Sequence, residues 1–186
     1  MKKLAGFLTV LGFIVLGVYA YHGGFSDLAV KEEVSGPYYF IYKNHTGAYR
    51  ETGKMYQELD TYFSEKKIKI LAMAGMYFDN PSVVEDGKLR SAIGAIVAKD
   101  VYDSYIPADG MQKRIVPSRL HIYAEFPFTN YVSMVIGIKK AYPVLGEYTK
   151  THNFPEYKYK EKDYEDQYSM ELYYTDDKIR FLMPRP

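Results

Sequence analysis

The sequence predicts an α+β fold in which two β-α-β-β units share a central antiparallel sheet, preceded by one N-terminal transmembrane helix. Three observations predict it. An uncharged apolar run lies near the start of the chain, the order strand, helix, strand, strand follows twice, and tyrosine is frequent, with 21 of 186 residues. Aromatic residues favour strands, and helices packed on an antiparallel sheet are typical of α+β domains. We therefore expect a membrane segment at 1–21, a linker at 22–35 and one domain at 36–186.

The apolar run extends from Leu4 to Tyr21 and follows Lys2 and Lys3. As a helix it would span roughly 27 Å, close to the ~30 Å hydrocarbon core of a bilayer. We expect a retained single-pass anchor, and a signal peptide cleaved after 18–20 is the alternative. The two lysines favour a cytoplasmic N-terminus and a translocated domain. They leave open on which side of a bacterial inner membrane or endoplasmic reticulum membrane the domain lies.

The first predicted unit covers about 36–98. A β-type run at 38–42 leads to a helix at 52–63, where apolar residues recur at spacings of three and four. Tyr56 lies on that apolar face, so its predicted role is packing. Two strands follow, and a turn with the sequence Asp-Asn-Pro separates them. These strands are predicted at 68–77 and 89–97.

The second predicted unit covers about 119–186 and repeats the same order. Its helix carries Tyr142 on the apolar face, and Pro143 should kink or restart that helix. A link at 99–118 joins the units, and a charged, tyrosine-rich stretch at 156–167 predicts an insertion or an extended hairpin. The elements are a strand at 120–126, a helix at 131–148 and a hairpin of strands at 170–174 and 179–183.

The composition excludes several functional classes. The 24 basic and 23 acidic residues give a net charge of +1, which is not typical of nucleic-acid-binding proteins, so we predict no direct nucleic-acid partner. The absence of cysteine excludes disulfides, cysteine-ligated metals and thiol nucleophiles. The four histidines, at 22, 45, 121 and 152, are too scattered for a metal motif. We predict no metal, no cofactor and no catalytic residue.

Three groups of passages resemble the testis-expressed protein 264 family, in the same order and with similar spacing. The first is IYKNHTGAYRETG at 41–53. The second is YFDNP at 77–81 with KLRSAIG at 88–94. The third is FPFT at 126–129 with AYPVL at 141–145 and ELY at 171–173. That family belongs to the GyrI-like superfamily, also called the SOUL or effector-binding type. The resemblance implies a fold made of a pair of SHS2-type β-α-β-β units around a central groove.

The same resemblance implies a ligand site centred on Glu171, because GyrI-like domains often carry a glutamate in the corresponding strand. In an aromatic groove such a carboxylate would be partly desolvated and its pKa raised. The alternative is a solvated strand carboxylate beside Lys178 or Arg180. The side chains expected to line the groove, each with packing in the sheet–helix core as its alternative, are Tyr77, Phe78, Phe126, Phe128, Tyr131 and Tyr173.

We therefore expect a membrane-anchored, non-catalytic domain that binds a small molecule or peptide. One alternative is an adaptor or receptor, because vertebrate members of the family act in selective autophagy of the endoplasmic reticulum. Their autophagy-binding motif lies in a long tail after the domain, and this chain ends at Pro186, which counts against that alternative. The second alternative is a hydrolase that uses Glu171. A protein partner is compatible with each function. Arg90 is expected to pair with Asp79 or Glu85.

Overall fold

The structure, a computed structural model, describes residues 2–154 and 167–185. It begins with helix α1, which is followed by an antiparallel sheet with helices on one face. The helices are α1 (Lys2–Tyr21), α2 (Thr52–Glu65), α3 (Lys99–Ser104) and α4 (Tyr131–Thr151). The strands are β1 (Lys31–Ser35), β2 (Tyr38–Thr46), β3 (Ile70–Tyr77), β4 (Arg90–Val97), β5 (Gln112–Val116), β6 (Arg119–Pro127), β7 (Ser169–Tyr174) and β8 (Lys178–Pro184).

All eight strands form one antiparallel sheet, in the order β1-β6-β8-β7-β3-β4-β2-β5. Each β-α-β-β unit contributes three neighbouring strands, and β3 of the first unit pairs with β7 of the second at the centre. The arrangement confirms the predicted α+β class and the duplication. Each outer edge is extended by a strand from the other half of the chain, because β1 pairs with β6 and β5 pairs with β2.

The sheet is buried on both faces, which explains why its central strands contain few polar residues. On one face it curls around its own core, which includes Phe40, Met76, Met170 and Leu182. On the other face, α2 packs over β3 and β4, whereas α4 packs over β6 and β8. Alternate residues of β3 and β7 therefore point towards the space between α2 and α4.

The predicted strands and helices of both units are present, with ends that differ by a few residues. The stretch predicted as a linker contains β1, and the stretch predicted as a link contains α3 and β5. Pro143 lies inside an uninterrupted α4. It is exposed, so the carbonyl oxygen that loses its backbone donor can bond water instead. The stretch predicted as an insertion, 156–167, lies outside the described residues except for its last position.

Candidate functional site

A cavity of about 290 Å³ separates α2 from α4 above the two central strands. Its wall is mainly aromatic and aliphatic, and a carboxylate lies at its base. The helices contribute from their facing sides, and β3 and β7 form the floor. The lining residues are Tyr49, Arg50, Thr52, Gly53, Tyr56, Tyr77, Tyr131, Met134, Val135, Ile138, Lys139, Glu171 and Tyr173.

Glu171 is the carboxylate at the base of this cavity. It lies in the middle of β7, is only 3% exposed, and faces the helices. Its Oε2 accepts hydrogen bonds from the hydroxyls of Tyr173, at 2.6 Å, and Tyr77, at 3.2 Å. Its Oε1 accepts one from the hydroxyl of Tyr142, at 2.9 Å. A carboxylate has about four acceptor positions, so one remains for a ligand.

Gly75 makes room for the tyrosines around that carboxylate. It lies directly opposite Glu171 in the β3–β7 pairing. A Cβ atom at this position would lie 2.2 Å from the Tyr56 hydroxyl and 2.9 Å from the Tyr77 hydroxyl. The missing side chain therefore lets two phenols reach the sheet surface, where their oxygens are 3.4 Å apart.

Burial dominates the electrostatics of this cluster. Loss of solvation raises the pKa of Glu171, although the hydrogen bonds from Tyr173, Tyr142 and Tyr77 act in the opposite direction. Burial, with the nearby carboxylate as the second cause, raises the pKa of Tyr56, Tyr77, Tyr142 and Tyr173 well above the usual value of a phenol. The tyrosines are therefore neutral donors at pH 7, and the carboxylate is the group whose charge can vary.

The described residues give Glu171 no cationic partner. Among the side chains that the structure describes, no lysine, arginine or histidine lies within ion-pair distance of it. Lys178 pairs with Asp176, and Arg180 pairs with Glu125 and Glu33. The alternative of a solvated carboxylate beside Lys178 or Arg180 is therefore wrong, because Glu171 points to the opposite face of the sheet.

The structure brings together some of the predicted groove residues and separates others. Glu171, Tyr77 and Tyr173 meet at the base of the cavity, and Tyr131 lies at its rim. Phe128 supports Tyr173 from behind, with ring centres 5.5 Å apart. The remaining two are in the core: Phe126 lies between the sheet and α4, and Phe78 packs against the core on the other face of the sheet.

Sequence reasoning missed Tyr56 and Tyr142 as site residues. Both lie on the apolar helix faces where they were predicted, but their hydroxyls reach the polar cluster. Helical spacing identifies the side of a helix that faces the sheet. It does not show whether a side chain on that side packs in the core or lines a cavity. The signal that could have found them is the phenol itself, because a buried tyrosine hydroxyl usually has a hydrogen-bond partner.

A second cavity, of about 350 Å³, adjoins the first beyond Tyr77 and Tyr142. Its rim contains the turn at 79–82. Asp79 accepts hydrogen bonds from the backbone amide of Arg90, at 2.7 Å, and from its guanidinium Nε, at 2.9 Å. This confirms the expected pair and shows that Asp79 holds the rim in place.

Comparison with known proteins places these features in a family. The sequence profile of the GyrI-like small molecule binding domain matches residues 29–180. Human Testis-expressed protein 264 is 28% identical over 198 aligned positions, which cover 97% of this chain and 56% of that protein. The chain thus spans about half the length of this relative.

Two solved structures have a similar fold. The crystal structure of the EcmrR C-terminal domain has a TM-score of 0.54 and 10% identity, covering 86% of this chain and 97% of that one. The structure of SAV2435 bound to tetraphenylphosphonium has a TM-score of 0.54 and 11% identity, covering 86% of this chain and 94% of that one. At such low identity the similarity shows the fold alone.

Proposed function

Because this chain belongs to the GyrI-like small-molecule-binding family, we propose that its α2–α4 cavity binds a lipophilic organic cation, with Glu171 as the counter-charge. The observation that carries the proposal is a buried carboxylate that no cationic side chain of the described residues reaches within ion-pair distance, inside a mainly aromatic and aliphatic wall whose lining also includes Arg50 and Lys139. A carboxylate and tyrosine faces together attract a positive charge that is weakly hydrated. The tetraphenylphosphonium bound to SAV2435 is a ligand of this kind and supports the choice.

Size and polarity agree with this ligand class. The cavity, at about 290 Å³, is near the lower end of the roughly 300–1,000 Å³ typical of small-molecule sites. Three tyrosine hydroxyls hold the carboxylate in place, so a ligand need not organise it. A cation that displaces water from the aromatic wall gains hydrophobic and electrostatic free energy together.

The test is calorimetric titration of the full chain, in detergent micelles, with tetraphenylphosphonium and with tetraphenylborate. The two ions share shape and apolar area and differ in the sign of their charge. We expect the cation to bind at a single site and the anion not to bind. Equal binding of both ions would show partitioning into micelles or apolar surface and would refute the charge-specific site.

We further propose that α1 anchors the domain in a membrane. This 20-residue helix has a mean hydropathy of 2.1 and no buried residue. Such a surface is unfavourable in water and suits a bilayer core. Alkaline carbonate extraction tests the anchor, because a cleaved signal segment would leave the domain in the soluble fraction.

The function proposed is binding without catalysis. The alternatives, an adaptor related to the family's receptors and a hydrolase that uses Glu171, stay predictions. A hydrolase would need the free acceptor position of Glu171 to take a proton from water. Turnover of an activated ester that disappears in Glu171→Gln, while tetraphenylphosphonium fails to compete, would favour the hydrolase over the binding site.

A further inference from the structure

The segment after α1 is fixed to the domain and is not a free tether. The Nδ1 atom of His22 lies 2.9 Å from the hydroxyl of Thr129, immediately before α4. The Nζ atom of Lys140 donates to the carbonyl oxygens of Gly24, at 2.7 Å, and Ser26, at 2.5 Å. Gly23 lies against the Phe126 ring, where a Cβ atom would be 2.9 Å from Cζ. These contacts set the orientation of the domain relative to α1.

Aromatic side chains surround the end of α1. Tyr19, Tyr21 and Phe25 are all exposed, and the rings of Tyr19 and Phe25 meet edge to face with centres 5.2 Å apart. Tyrosine and other amphipathic rings are enriched where a transmembrane helix meets the lipid–water interface. If α1 crosses a bilayer, this cluster lies at the level of the headgroups.

The first turn of α4 lies beside that cluster and is unusually apolar for an exposed turn. Tyr131 is 70% exposed and Val132 is 43% exposed. They come shortly after Thr129, which contacts His22 at the end of α1. Tyr131 also lines the rim of the cavity. One side chain therefore borders both the anchor region and the ligand site.

An apolar stripe leads from that rim to the carboxylate. Met134, Val135 and Ile138 line the cavity after Tyr131, and Tyr142, on the same helix face, donates to Glu171. The positions follow the helical repeat. From Tyr131 to Tyr142 they cover about 16 Å of helix axis. A ligand with a positive head at Glu171 would therefore have room for an apolar tail that points towards the anchor.

We propose that the first turn of α4 docks on the bilayer surface and that the cavity takes up a cationic amphiphile directly from the membrane. The proposal rests on the proposed function, since it requires both the anchor and the cation site. The occupant of the exposed apolar turn is the lipid interface, because Tyr131 and Val132 continue the aromatic cluster at the end of α1. The head of the amphiphile pairs with Glu171, and its tail lies along the α4 stripe.

Docking can be measured by fluorescence quenching, because the chain contains no tryptophan. Tyr131→Trp and Val83→Trp each introduce one tryptophan at an exposed site. Val83 lies between β3 and β4, at the opposite end of the sheet from Pro127, and is the matched control. In nanodiscs whose lipids carry brominated acyl chains, we expect at least a twofold loss of emission from Tyr131→Trp and little loss from Val83→Trp. Equal quenching of the two variants, or none, overturns docking.

Uptake is tested with a fluorescent long-chain trimethylammonium ion dissolved in the nanodisc, and with water-soluble tetramethylammonium. Val132→Asp places a charge on the docking turn outside the cavity lining. We expect it to slow association of the long-chain ion about tenfold and to leave tetramethylammonium binding unchanged. Equal slowing of both overturns entry from the membrane. Tetraphenylphosphonium titration in detergent reports the site separately. Loss of binding by the wild type would refute the proposed function itself, whereas loss by Val132→Asp alone would place Val132 in the ligand site and overturn its role in docking.

Discussion

The substitution Glu171→Gln removes the charge at the base of the cavity and preserves the shape of the side chain. In the wild type, burial removes the solvation of the carboxylate, a cost of several kcal/mol. Three tyrosine hydroxyls offset part of it, and each bond to a charged acceptor is worth about 1 kcal/mol more than a neutral one. The raised pKa of Glu171 indicates that desolvation exceeds this offset. We therefore expect the variant to be as stable as the wild type, or more stable, at pH 7.

Cation binding should change in the opposite direction. A positive charge about 5 Å from the carboxylate, at an effective dielectric constant near 20, interacts with it by about 3 kcal/mol. Loss of that interaction corresponds to a roughly 100-fold increase in Kd. The combination of unchanged or increased stability with weakened binding is specific to a functional charge, because a structural carboxylate would reduce stability when replaced.

The pH dependence follows from the same raised pKa. Between the usual pKa of an unfolded glutamate and the higher pKa of folded Glu171, the folded state holds a proton that the unfolded state has lost. The free energy of unfolding therefore falls as pH rises through this window. Affinity for the cation should rise across the same window as the carboxylate ionises. Both trends should disappear in Glu171→Gln.

The assay combines urea unfolding with titration of tetraphenylphosphonium, for the full chain in one detergent. Glu125→Gln is the control, because Glu125 pairs with Arg180 on the other face of the sheet and does not line the cavity. We expect the control to keep wild-type affinity. Destabilisation of Glu171→Gln by more than about 2 kcal/mol, the upper part of the range for ordinary substitutions, would refute the reasoning. Unchanged affinity would refute it as well.

Three further predictions concern the surroundings of that charge. Gly75→Ala should cost about 1 to 3 kcal/mol in urea unfolding, as overpacking does, and weaken cation binding, because its Cβ atom would displace the Tyr56 hydroxyl. Tyr142→Phe should raise the pKa of Glu171 further, so a titration series should show the onset of binding at higher pH; an unmoved onset would contradict the role of that hydroxyl. Asp79→Ala should lower the free energy of unfolding by about 1 to 3 kcal/mol, because it removes the buried carboxylate that accepts hydrogen bonds from the backbone amide and the guanidinium of Arg90; a thermal melt within experimental error of the wild type would contradict this.

The fold was predictable because each unit shows clear periodicity. Residues 52–63 follow the helical repeat, and the strands are bounded by turn residues. The two edge strands were missed for a physical reason: β1 has the sequence KEEVS and β5 the sequence QKRIV. Exposed edge strands carry charged residues that discourage aggregation, so they resemble loops in composition. Their strand conformation comes from pairing with β6 and β2.

The site was predictable only in part. The resemblance supplied Glu171, and Tyr173 lies on the same face because it is two positions further along β7. Phe78 was misplaced because the sequence does not distinguish the two apolar faces of the sheet, and this residue packs against the curled core just after β3. Phe126 lies on the same face as Tyr173, but α4 covers it. The Phe126 ring fills the space beside Gly137 of α4. A Cβ atom at Gly137 would lie 2.8 Å from that ring. That contact depends on how α4 packs on β6, which the sequence of either element alone does not determine.

The chemistry of the cavity depends on a difference between the two β-α-β-β units at one pair of facing positions. At the centre of the sheet the first unit places Gly75, which has no side chain, directly opposite Glu171 of the second. The glycine creates space for phenols, and the glutamate supplies a charge that its surroundings disfavour. A glutamine could occupy the same volume and bond the same hydroxyls without the desolvation cost. The carboxylate is therefore best explained by a ligand that needs its charge. The attraction of a positive ligand would offset the free energy that the carboxylate loses when burial removes its solvation.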